Sequence, residues 1–89
     1  MEGMGEAQMA LMQGMTETQG PMMQGMRAED PDVAFACAMI PHHQAAINMA
    51  EVELQHGDAA PMKEMAQKVI DAQKKEIEEL TKWIEEQGQ

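Results

Sequence analysis

Between Met62 and Ile84 the residues Met62, Met65, Ala66, Val69, Gln73, Ile77, Leu80 and Ile84 recur at steps of three and four. Only an α-helix gathers such a series into one stripe, and that stripe needs an apolar partner along roughly 37 Å. Asp58 lies in the N-cap region and Pro61 in the first turn, and Gly88 is a natural stop. Glu64–Lys68, Asp71–Lys75 and Glu78–Lys82 run acid before base at i, i+4, each pair adding about 0.3–0.5 kcal/mol.

A second helical pattern precedes it. Asp30 or Asp32 can cap it, with Pro31 in its first turn, and Gly57 ends it. Phe35, Met39, His42, Ala46, Met49, Glu53 and His56 form one stripe, which Ile40, His43, Ile47, Ala50 and Leu54 widen. Pro41 removes one backbone hydrogen bond and leaves the Cys37 carbonyl without its usual partner. The connection from Gly57 to Ala60 is short, so the two helices fold as an antiparallel αα-hairpin. The expected class is all-α: a helical hairpin completed to a four-helix bundle by dimerisation, with a Met-rich N-terminal segment.

That segment differs in composition. Residues 1–28 hold eight of the 12 methionines together with Gly3, Gly5, Gly14, Gly20, Gly25 and Pro21. Met9, Met12 and Met15 fit a short helix near residues 5–14, and the later glycines favour a loop. The expected organisation is residues 1–29 as a partly helical or flexible Met/Gly-rich segment and residues 30–89 as the helical domain.

Composition excludes several partners. The net charge of −10 repels phosphate backbones and anionic lipid, and one Phe and one Trp give no stacking platform for nucleic acid. No apolar run approaches a membrane span. Cys37, the single cysteine, forms no disulfide within the chain and reads as a small packing residue or a partly exposed thiol rather than a ligand. No activated nucleophile, phosphate loop or paired general acid and base is visible, so an enzyme is not expected.

The histidines and methionines carry the chemistry. His42, His43 and His56 are all predicted to point inward, where an imidazole needs a hydrogen-bond partner or a metal. Met39 reaches both His42 and His43, and Met49 flanks them. Thioether with imidazole suits Cu(I) or Ag(I), or copper in both oxidation states. Folding the hairpin about residue 59 puts position 76 opposite 42, so Gln73 and Glu76 fall near the His pair as partners that fix its tautomer. His56 falls near Met62 and Met65, a second and looser site, although both methionines also serve as packing on their stripe. Met9, Met12, Met15, Met22, Met23 and Met26 have little core to fill and read as low-affinity thioether ligands. Glu53 and His56 also match the Glu-x-x-His pattern of di-iron bundles, without a second Glu at the same level.

The run from Phe35 to Ala50, with its Met-Ile-Pro-His-His-Gln centre at residues 39–44, resembles the signature of the DUF305 family, and Ala66, Ile70, Gln73, Glu76-Ile77 and Trp83-Ile84 fit at the right spacing. The resemblance covers about residues 30–86. It implies a ferritin-like helical bundle, usually exported to the periplasm or otherwise extracytoplasmic, with several members tied to copper or silver binding and resistance. The ligands it implies are Met39, His42, His43 and Met49, with His56. Two positions depart from it: Leu80 stands where members commonly have Met, and Asn48 where Asp is usual. The start at Met1-Glu2-Gly3-Met4 shows no export signal, which fits a cytoplasmic protein or a trimmed form equally. The expected function is sequestration or transfer of Cu(I) or Ag(I), as a homodimer exchanging metal with a donor or acceptor protein. Two alternatives stand beside it: a helical interaction module whose Met and His only pack an interface, and a ferritin-like iron protein.

Overall fold

The computed structural model describes residues 5–87; Met1–Met4 and the predicted stop at Gly88 lie outside them. The described residues form three helices and no strand: α1 (Glu6–Gly25), α2 (Pro31–His56) and α3 (Ala60–Glu86). Asp30 caps α2, its Oδ1 accepting from the Asp32 and Val33 amides at 2.8 and 3.3 Å, with Pro31 at the first helical position. Gly57 ends α2, and its N–H donates to the Glu53 carbonyl. The N-cap of α3 is Ala59 rather than Asp58, and no side chain caps it. Pro61 sits in the first turn of α3, where its missing N–H costs nothing.

The N-terminal segment departs from expectation. In place of a short helix and a loop, α1 runs unbroken through Gly14, Gly20 and Pro21. The glycines are notches that let α1 approach α2. Gly14 is buried, and a Cβ there would lie 2.9 Å from the Asn48 Cβ. A Cβ on Gly25 would lie 2.6 Å from the Cys37 carbonyl carbon and oxygen. That carbonyl is the one Pro41 leaves without an intrahelical donor. Thr18, also buried, returns its hydroxyl to the Gly14 and Met15 carbonyls. At Gly14 and Gly25, packing against α2 thus offsets the roughly 1 kcal/mol that a glycine costs a helix; Gly20 has no such contact.

Position 14 faces 48 and position 25 faces 37, so α1 runs antiparallel to α2. On the other side of α2, α3 also runs antiparallel. Ile47 and Ala50 form the core with Ala66 and Ile70, and Leu54, Val69 and Ile77 pack on it. The outer helices, α1 and α3, do not pack on each other. The molecule is a layer one helix thick, with extents of 46 × 27 × 13 Å.

Three helices side by side leave α2 two neighbours and a bare third face. The neighbours take Ile47, Ala50 and Leu54 on one side and Asn48 on the other. The stripe of Phe35, Met39, His42, Ala46 and Met49, predicted to be the core seam, lies on the open face. Phe35 is 63% exposed and Met49 48%.

Candidate functional site

The open face carries two clefts along the α2–α3 groove. The first, of about 600 Å³, is lined by Phe35, Met39, His43, Glu76, Glu79, Leu80 and Trp83. The second, of about 410 Å³, lies nearer the α2–α3 turn, and Met49, Glu53, Met62 and Met65 are among its lining residues.

His43 is the only histidine the fold buries, at 7% exposure. It sits on α2 in the phase of Ile47 and Ala50, one turn before the core. Its Nε2 lies 2.6 Å from Glu76 Oε1 on α3, and Glu76 is half-exposed. A carboxylate opposite a ring nitrogen accepts a hydrogen bond from it, so Nε2 carries the hydrogen in the neutral ring. The lone pair then falls on Nδ1, which is buried and has no hydrogen-bond partner. A carboxylate holding one ring nitrogen while the other is left free is the arrangement that prepares an imidazole to ligate a metal. Met39, one turn earlier on the same helix and half-buried, lines the same cleft.

The predicted residues are divided by the fold. Met39 and His43 share the first cleft, and Glu76 reaches His43 as the hairpin register predicts. His42 and His56 are corrections: both were predicted to point inward and both are exposed. The His42 ring stands beside that of His43, with centroids 6.0 Å apart and planes inclined at 59°. Adjacent positions on a helix differ by 100°, so burying one turns the other toward water. His56 lines a pocket on the α1 side with Gln8, Met49 and Glu53, while Met62 and Met65 line the second cleft. Met62 and Met65 are open to solvent, not packed in the core, and share the second cleft with Met49. On α1, Met9, Met12, Met15, Met23 and Met26 are exposed, and Met22 is half-buried. Cys37 is half-buried beneath Gly25 and apart from both clefts. Among the described residues, no three His, Cys, Asp or Glu side chains gather at one point.

The feature sequence reasoning missed is the grouping of Met49, Met62 and Met65. The three-residue step from 62 to 65 and the antiparallel register were the signals available for it.

The sequence model of a domain of unknown function, DUF305, matches residues 1–84. The chain belongs to the DUF305 family. No curated protein matches it. The DUF305 match takes in α1 as well as the hairpin, where the resemblance read from the motifs began near residue 30. Among the described residues of this DUF305 protein, no helix is long and apolar enough to cross a membrane.

Proposed function

We propose that this protein binds soft monovalent metal ions, Cu(I) or Ag(I), and holds them for sequestration or transfer to another protein. The observation that carries the reading is the His43–Glu76 pair. It presents a desolvated Nδ1 lone pair, with the tautomer fixed from the other side of the ring, on a residue that lines the same cleft as Met39. Imidazole and thioether together match a soft d¹⁰ ion better than a hard divalent one. Glu76 orients His43, and Trp83, Leu80 and Phe35 provide an apolar surround. His42, exposed next to His43, is a second imidazole at the mouth of the site. The exposed methionines of α1 supply weaker thioether sites, and the acidic surface draws cations toward all of them. The role is binding rather than catalysis, and family resemblance favours a periplasmic setting.

The finer architecture belongs to the same proposal. The bare apolar face of one layer fits the same face of a second copy, giving a ferritin-like four-helix bundle of two hairpins with the α1 helices outside. That exposed face also favours a second reading, a helical interaction module that binds no metal.

Anaerobic titration of the protein with Cu(I) against a competing chelator tests the function. Stoichiometric binding that weakens about 10–100-fold in Glu76→Ala, and is largely kept in Glu76→Gln, supports the reading. No retention of Cu(I) against the chelator overturns it. Iron-dependent oxygen consumption in place of Cu(I) binding would establish the ferritin-like iron protein.

A further inference from the structure

The second cleft has its own chemistry. Met49 reaches it from α2, and Met62 and Met65 from the first turns of α3. Its small lining residues are Ala46, Ala50 and Ala66, and Leu11 and Val69 complete the apolar wall. The three thioethers are not core filling. They stand 47–56% exposed, while Ile47 and Ile70 in the adjacent core are 3% and 5% exposed. Glu53 is the one charged residue of the lining.

We propose that Met49, Met62 and Met65 form a three-thioether site for one soft monovalent cation, with Glu53 as its counter-charge. The proposal rests on the soft-metal reading above but on different residues. Each methionine side chain has three rotatable bonds, so sulfurs from two helices can converge over an alanine-lined surface. Three neutral thioethers leave the bound ion with its full +1 charge. One carboxylate beside it neutralises that charge without being a preferred ligand, because carboxylate is hard and the ion is soft. A divalent ion such as Zn(II) finds neither thiolate nor imidazole in this lining, and so is discriminated against. The site is separate from His43. Six helical steps, about 9 Å of rise, separate His43 from Met49 on α2, and eleven, about 16 Å, separate Met65 from Glu76 on α3. The two clefts share no lining residue, so the groove holds two sites in line.

The test uses the full chain with ¹³C-labelled methionine methyl groups, titrated with Ag(I) and followed by NMR. The methyl signals of Met49, Met62 and Met65 are expected to shift together in one binding step and to ignore Zn(II). The volume-conserving triple change Met49→Leu, Met62→Leu and Met65→Leu should bind one Ag(I) fewer and leave the Met39 signal responsive. Glu53→Gln should weaken the step about threefold. Three unmoved methyls while Met39 responds would overturn the three-thioether site and leave the soft-metal reading standing. No Ag(I) binding at any methionine or histidine would overturn both. Shifts that follow protein concentration rather than Ag(I) would show an interface in place of a site, as would a triple variant that binds the full number of ions.

Discussion

Gly20→Ala and Gly25→Ala should move stability in opposite directions. Beyond its chain neighbours a Cβ at position 20 meets nothing within 4 Å, so the substitution gains the difference in helix propensity, about 1 kcal/mol, less what the ring of Pro21 costs a Cβ just before it. At position 25 the same methyl meets the Cys37 backbone carbon and oxygen at 2.6 Å and the Ala38 nitrogen at 2.8 Å. Backbone cannot step aside as a flexible side chain can, so the end of α1 must lift, at about 1–3 kcal/mol. Thermal unfolding of the two variants checks the pair, with Gly20→Ala melting above the parent and Gly25→Ala below it, each by less than about 8 °C per kcal/mol. Asn48 provides a related case. Its Nδ2 donates to the Gly14 carbonyl at 3.2 Å, and its Oδ1 accepts from Gln44 at 3.1 Å. An aspartate keeps the second bond, loses the first and turns an oxygen toward the Gly14 carbonyl. Asn48→Asp should therefore cost about 1–2 kcal/mol and loosen α1, which hydrogen exchange at residues 14–18 would report. Asn48 thus has a structural role at the α1–α2 contact in this chain. Glu76→Ala leaves both nitrogens of a buried imidazole without a partner, at about 1–3 kcal/mol, and Glu76→Gln restores most of it by retaining an acceptor.

Among the elements, α1 makes the clearest prediction. Its amides should show exchange protection past Gly14 and on to the last turn, with a break only at Pro21 and its neighbours. An unprotected stretch after residue 14 would restore the loop that its composition suggests. The bounds of α2 and α3 were legible because Asp30-Pro31, Gly57 and Pro61 are local signals, acting within one turn. The pairing of His43 with Glu76 was legible because a short turn fixes register. The second half of α1 was not, because each glycine reads as a helix cost until the α2 surface it fits is known. The phase of α2 was not legible either. Its apolar residues surround most of the helix, so Phe35–Met39–Ala46–Met49 and Ile40–Ile47–Ala50–Leu54 are equally regular stripes. Only the position of α3 selects the second as core. That choice is what turned His42 outward and left Met49 open.

At the scale of the molecule, a 13 Å layer leaves Phe35, Met49, Met62 and Met65 47–63% exposed. The open face of α2 and α3 is roughly 39 Å long and two helices wide, close to the roughly 800 Å² per partner of a standard interface. Two copies at −10 each repel one another, so the dimer should tighten as salt screens that charge. Light scattering at micromolar protein should give the dimer mass at high ionic strength and a growing monomer fraction at low; a monomer throughout would rule this pairing out. Metal at the clefts would shift the same equilibrium by mass action. The central claim is that a buried imidazole and a neighbouring thioether hold a soft ion. X-ray absorption at the copper edge, on anaerobic protein loaded with one equivalent of Cu(I), tests it most directly. The account predicts nitrogen and sulfur scatterers around the same ion, with the nitrogen shell lost in His43→Leu. A shell of oxygen and nitrogen without sulfur, or one unchanged by His43→Leu, would contradict it.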